Sequence, residues 1–258
     1  VWVDPPLIFD PDKPTAPGTP STTTPTVDGT PTWSWAGSTD AISGVDEYHI
    51  QIRRFGTADW DVLDTVLDIP DSLTPADPQT WTQGLSLADG QYEIRVRAMD
   101  VAGNYSDWSG FGSVTVDATP PAAPAIQALD PGYTTSPITI NWNDVTDGSN
   151  AITYVLQYAD NAGFDVATSE TRSTSDYPFT FPDEGEYWFR VKTISTLPGL
   201  GGVKESGWSP IVSTIFDHTG PDAPELMLLT PSPTNQSPQT WSWTAPEGAT
   251  GYKVNVNG

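Results

Sequence analysis

One pattern recurs three times along the 258 residues: Asp-x-x-x-Pro-x-x-Pro, at Asp10, Pro14 and Pro17, at Asp117, Pro121 and Pro124, and at Asp217, Pro221 and Pro224. The copies start 107 and 100 residues apart, so the chain is a tandem array rather than one large domain. A tryptophan follows each Asp at 25 residues (Trp35, Trp142) or 26 (Trp243), with Trp33, Ile140 or Trp241 two places before it. Residues i and i+2 of a strand share a face, so each pair is expected to point into a core. A second alternating run comes about a dozen residues later: Tyr48 to Ile52, Tyr154 to Tyr158, and Tyr252 to Val256. The clearest strand is Gly90 to Ala98, matched by Gly185 to Thr193; apolar Tyr92, Ile94, Val96 and Ala98 alternate with Glu93, Arg95 and Arg97. Apolar-in, polar-out alternation marks antiparallel sheets with one wet face.

Trp108-Ser109 and Trp208-Ser209 close the two full repeats, each nine residues before the next boundary Asp. The spacing divides the chain into a last strand of a preceding module (1–9), module 1 (10–116), module 2 (117–216) and the first part of a third module (217–258). Trp2 and Ile8-Phe9 sit where the ends of the full modules sit, and the third repeat has no counterpart of the Tyr92 strand. The chain is therefore expected to continue past 258. Module 1 carries extra residues expected in a loop between Gly56 and Thr80, and module 2 a Gly-rich loop from Ser195 to Ser206.

The 26 Pro and 22 Gly punctuate short β-type runs, as in an all-β protein. With 33 acidic against 10 basic residues the formal net charge is −23, which repels phosphate backbones and anionic membranes. No cysteine is present, so disulfides, thiolate metal sites and cysteine nucleophiles are excluded. No run of 18 apolar residues is available to cross a membrane as a helix. His49 and His218 are the only histidines, and no nucleophile elbow, phosphate-binding glycine loop or His-Glu-x-x-His occurs, so no catalytic residues are assigned.

The core Trp, the Tyr-x-Ile/Val strand, the Gly-x-Tyr-x-Ile/Phe-Arg-Val run and the terminal Trp-Ser resemble fibronectin type III-like domains. Ala98 to Asn104, followed by Val116 to Pro121, is similar to the bacterial fibronectin type III-like or Ig-like modules of giant adhesins and secreted enzymes. That resemblance implies an all-β chain of tandem β-sandwich modules, each with about seven strands in two sheets, joined by Pro-rich linkers. For function it implies little, because this sandwich hosts many roles.

Two constellations stand out. Arg95, Arg97 and Trp108, repeated as Arg190, Lys192 and Trp208, are expected to form a structural ladder of cations stacked on indole, similar to the Trp-Ser box of cytokine-receptor modules. Ligand binding is the rival role. Asp100, Asn104 and Asp117 are hard oxygen donors, and adhesin arrays imply calcium at the junction of modules 1 and 2. The same residues also read as a tight loop at Gly103 and a strand end at Asp117. Pro14 to Thr32 has the Thr/Pro content of an extended or O-glycosylated linker, and Asn104-Tyr105-Ser106 and Asn235-Gln236-Ser237 fit the N-glycan acceptor rule.

The reading that follows is a non-catalytic, extracellular or cell-surface rod or filament shaft with an adhesive role. Its partners would be neighbouring modules, other copies of the chain, or a cell-surface or polysaccharide ligand. The alternative is a spacer or carbohydrate-binding module of a secreted polysaccharide-degrading enzyme. Exposed coplanar aromatics would favour sugar binding, and Trp60, Trp81 and Trp188 are the unassigned candidates.

Overall fold

A computed structural model describes residues 9–60, 63–72, 78–129, 133–135, 137–199, 202–229 and 240–255. The Trp2 strand, the Asn235 acceptor and Val256 lie outside the described residues. No helix occurs among those described.

Among the described residues module 1 has six strands: β1 (Thr32–Trp35), β2 (Val45–Arg54), β3 (Leu63–Ser72), β4 (Gln79–Thr82), β5 (Gly90–Asp100) and β6 (Gly112–Val116). One sheet is β1-β4 and the other runs β3-β2-β5-β6, with these pairs all antiparallel. Between them lies one cluster: Trp33 and Trp35 from β1, Tyr48, Ile50 and Ile52 from β2, Tyr92, Ile94, Val96 and Ala98 from β5. The period-2 alternation puts every second side chain of β2 and β5 into this layer, which is why those strands hold it. Tyr92 also donates its hydroxyl to the Ala88 carbonyl four residues upstream at 2.9 Å, pinning the turn into β5 as a tyrosine corner does.

Module 2 repeats the plan with β7 (Tyr133–Thr134), β8 (Ile138–Asn141), β9 (Ala151–Ala159), β10 (Thr168–Arg172), β11 (Asp176–Phe179), β12 (Gly185–Thr196), β13 (Val203–Glu205) and β14 (Val212–Phe216). β8 pairs with β11, and the larger sheet runs β10-β9-β12-β14-β7 with β13 on the end of β12. Its core gathers Ile140, Trp142, Tyr154, Leu156, Phe179, Phe181, Tyr187, Phe189 and Val191. Tyr187 forms the same corner onto the Asp183 carbonyl at 2.9 Å.

Three expectations change. Residues 63–72, expected in a loop, form the edge strand β3 against β2. An edge strand needs pairing on one side only, so its sequence alternates weakly and tolerates Pro70. The Pro/Thr segment is not a free linker either. Gly18 and Ser21 donate to the carbonyls of Ala36 and Ser34, Thr26 donates to Thr115, and Pro14 and Pro17 are buried, as are Pro121 and Pro124. The Pro pair is thus part of the module body. Finally, β15 (Leu226–Leu228) and β16 (Trp241–Trp243) pair only with each other, leaving Trp241 and Trp243 46% and 37% exposed. These tryptophans, expected in a core, meet no facing sheet among the described residues, and the described part of the Tyr252 run is not a strand.

Candidate functional site

The outer face of β5 carries a continuous stack. Tyr105, Arg97, Trp108, Arg95, Trp60, Arg53 and Phe111 alternate ring and guanidinium, at 4.0, 4.6, 4.2, 4.1, 4.3 and 5.3 Å from Cζ to ring centroid. Gln51, directly across from Arg95 on β2, accepts from Arg95 Nε (3.0 Å) and Nη2 (2.7 Å) and so fixes the plane of the guanidinium. Module 2 builds a shorter version: Arg190 lies 4.5 Å from Trp208 and 4.1 Å from Phe164, Lys192 lies 5.2 Å from Trp208, and Gln157 grips Arg190 as Gln51 grips Arg95. The structure therefore places all six expected residues in two stacks.

The serines explain why the tryptophans stay in place. Ser106 and Ser109 accept the N–H groups of Ala98 and Val96 on their hydroxyls, at 2.9 and 3.0 Å, where β5 would otherwise lack an acceptor. Ser206 and Ser209 do the same for Thr193 and Val191. The working motif is Ser-x-Trp-Ser, whose first serine the Trp-Ser reading passed over. Trp108→Ala removes two cation–π faces of about 0.5–1 kcal/mol each together with part of the cover over β5, so denaturant titration should show a loss of about 2 kcal/mol. A loss below about 0.5 kcal/mol would mean that the stack does not stabilise the module.

Of the aromatics offered for sugar binding, Trp60 is sandwiched between Arg53 and Arg95, Trp81 packs on the module 1 core, and Trp188 is half-buried.

The expected calcium set is not brought together. Gly90 pairs with Val116, so Asp117 lies at the start of β5 and Asp100 at its far end, about 33 Å away along eleven residues of strand. Asp100 and Asn104 instead meet Asp10 and Asp40, which the sequence reading did not assign. The three carboxylates offer oxygens within 4.8 Å of one another and are 7%, 6% and 0% exposed for Asp10, Asp40 and Asp100. Asp40 Oδ1 accepts the N–H groups of Ile42, Ser43 and Gly44 at 3.0, 2.8 and 2.9 Å. Burial pushes Asp40 up, but these donors and Asp10 outweigh it and hold the carboxyl below its ordinary value. Asn104 does not offer an oxygen. Its Nδ2 faces the Asp10 and Asp12 carbonyls (3.0 Å each) and Asp100 Oδ2 (2.9 Å), which clamps the start of the module onto the β5 turn and occupies the amide of that glycan acceptor sequence.

Asp117 belongs to the counterpart of this cluster in module 2, with Asp147, Ser195 and Lys204. Lys204 Nζ, on a side chain 3% exposed, sits on Asp117 and lies 2.8 Å from Asp147. Asn150 bridges the two carboxylates at 2.8 and 3.2 Å, and Ser195 donates to Asp147. Burial raises Asp147 and lowers Lys204, yet hydrogen bonds win: those from Lys204, Ser195 and Asn150 hold Asp147 below its ordinary value, and those to Asp117 and Asp147 hold Lys204 above its own. Asp40 and Asp147 each lie 30 residues after a boundary Asp, a regularity that alignment of the repeats makes visible.

A third device recurs at the boundaries. Asp89, one residue before β5, accepts the N–H groups of Ala118 and Thr119 at 2.7 and 3.1 Å; Glu184, one before β12, accepts those of His218 and Thr219 at 3.0 and 2.7 Å. Each carboxylate grips the two residues that follow a boundary Asp. Gly202 of module 2 lies against Val27 of module 1, where a Cβ would come within 2.8 Å of Val27 Cγ2.

No family model matches the chain. It is 30% identical to Exoglucanase B of Cellulomonas fimi over 270 residues, which covers 95% of this chain but spans only 22% of that protein. Among solved structures, the FN1-FN3 domains of chicken CNTN1 align over 92% of this chain and 77% of theirs at 17% identity, but with a TM-score of 0.33 that likeness carries no weight. The fold assignment rests on the strand order itself. A two-stranded sheet facing a four-stranded one in order β3-β2-β5-β6, a core Trp on β1 and a tyrosine corner before β5 together make the chain an all-β tandem of fibronectin type III-like modules.

Proposed function

We propose that the chain is a non-catalytic accessory region of a secreted, glucan-degrading enzyme, acting as a spacer that limits the angles between its modules. The similarity to an exoglucanase over nearly the whole chain carries this reading and favours it over an adhesive shaft, which the sequence had placed first. The boundary grips of Asp89 and Glu184 support the spacer role, since each restricts the two residues that would otherwise swing freely. Carbohydrate binding is less favoured, because Trp60 is enclosed in a stack and Trp81 in a core edge, so neither presents a flat platform.

The 258-residue chain should stay in the supernatant over insoluble cellulose and release no sugar from soluble glucan. Small-angle scattering should show an elongated particle, whose distribution of dimensions broadens in Asp89→Ala. Retention on cellulose that soluble glucan reverses would replace the spacer with a carbohydrate-binding module. A compact scattering profile unchanged by Asp89→Ala would sink the spacer.

A further inference from the structure

We infer that the β12–β13 connection of module 2 is a clasp that docks on the end face of module 1 and fixes the orientation of the two modules. The matching modules differ here in length. From the last N–H of the long strand to the serine hydroxyl that accepts it, the chain covers eight residues in module 1 (Ala98 to Ser106) and thirteen in module 2 (Thr193 to Ser206). Module 1 closes the same sandwich with the shorter turn, so the five additional residues are not required by the fold of module 2. They build β13 against β12 and a turn in which the Leu197 N–H donates to the Gly202 carbonyl at 3.0 Å.

Three residues of this stretch reach module 1. Leu197 is 2% exposed, yet it belongs to neither core cluster. With Pro198 it lines a cleft whose opposite wall includes Pro25, Gln91 and Val116 of module 1. Gly202 meets Val27 so closely that a Cβ would lie 2.8 Å from its Cγ2 and 3.3 Å from its Cγ1. Lys204, on β13, pairs with Asp117, which directly follows the last strand of module 1. Its charge also acts on Asp89 of module 1. Burial raises that carboxyl, but hydrogen bonds from Thr119 and Ala118 and the charge of Lys204 hold it below its ordinary value.

The surface that receives the clasp is itself fixed. Thr26 bridges Val116, donating to the Thr115 carbonyl and accepting the Asp117 N–H, each at 2.9 Å. Its hydroxyl accepts the Asp28 N–H at 3.0 Å, so Val27 is presented between two tethered neighbours. An apolar anchor, a close backbone contact and a buried ion pair remove the swing that two modules on a linker otherwise keep. The short turn of module 1 reaches only its own entry, where Asn104 holds the Asp10 and Asp12 carbonyls. Among the described residues the clasp therefore belongs to one joint. The inference rests on the spacer reading only for the use made of a fixed angle.

The chain has no cysteine, so spin labels on Leu85→Cys in module 1 and Val166→Cys in module 2, both exposed, report a single inter-module distance. In the 258-residue chain, double electron–electron resonance should give one narrow distance distribution. Leu197→Ser and, separately, Val27→Asp should each widen it at least about twofold, because relative motion returns when an apolar contact between modules is lost. Val27→Asp leaves module 2 unaltered, so it decides the matter if Leu197→Ser does not fold. Asp89→Ala, which releases Ala118 and Thr119, is the comparator. A wild-type distribution as broad as those of the variants, or clasp variants as narrow as the wild type, would overturn the clasp. Widening by Asp89→Ala alone would leave the spacer standing without its clasp, whereas retention on cellulose would remove the spacer reading and leave the clasp intact.

Discussion

Replacing Trp142 with alanine should cost module 2 about 3–5 kcal/mol, the range for deleting a large aromatic from a packed core. Trp142 is 3% exposed, meets Tyr154 edge-on at 5.5 Å between centroids and packs among the aromatics of β11 and β12. Tyr154 is itself held, because its hydroxyl accepts the Val145 N–H at 2.9 Å, so it cannot fall into the cavity. At roughly 4–8 °C per kcal/mol for a module of this size, one calorimetric transition should drop by at least about 12 °C while the rest of the trace stays in place. Trp142→Phe should recover most of the loss. The indole N–H has no hydrogen-bond partner among the described residues, so phenylalanine gives up area but also removes a buried unpaired donor. A cost for Trp142→Ala below about 1 kcal/mol would contradict this packing.

The parts of the fold that were legible in the sequence are those where one side chain in two is buried. β2, β5, β9 and β12 read correctly because each lies in the middle of a sheet with one apolar face, which forces a period of two. β3 did not, since an edge strand can carry Val66 47% exposed and Pro70 without losing its one partner. The segment around Pro14 and Pro17 hid for a related reason. Proline cannot donate to a ladder, so the composition of a linker and that of a sheet-edge strand coincide, and only the donors between the prolines, Gly18 and Ser21, reveal the pairing.

The stacks were legible because Arg95 and Arg97, or Arg190 and Lys192, are successive outward residues of one strand, with Trp108 or Trp208 at a fixed distance. Their extension to Trp60 and Arg53 was not, as it needs the fold to bring Trp60 onto Arg95, 35 residues further along the chain. The carboxylate clusters were half legible. Asp100 and Asp117 were noticed as oxygen donors, but joining them ignored the length of β5, which sets them at opposite ends of the module. The repeat itself held the missing clue: Asp117 corresponds to Asp10, so the partners of Asp100 had to come from the start of its own module.

Lys204→Met is the sharpest test of how module 2 tolerates its buried charges. The variant keeps the hydrocarbon stem but leaves Asp117 and Asp147 facing each other without a cation. Removing one partner of a buried pair costs about 3–5 kcal/mol; the two carboxylates here retain 27% and 19% exposure, which places the expected loss at about 3 kcal/mol at neutral pH. The sign of the pH dependence follows from the shifts. Asp147 is held below its ordinary 3.8, so its contribution is present above that value and disappears as pH falls through the lowered one. Lys204 is held above its ordinary 10.5, so its contribution is complete below 10.5 and disappears as pH rises through the raised value. Wild-type module 2 therefore gains from the pair across the whole neutral range. As pH falls below 3.8, protonation relieves the repulsion in the variant, and the wild type loses its ion pair only as pH falls further through the lowered value, so the two should converge in strong acid. Urea titrations at pH 7 and at about pH 2 read this directly: a difference that shrinks in acid identifies the loss as electrostatic. A difference of equal size at both pH values would instead assign the role of Lys204 to the packing of its stem.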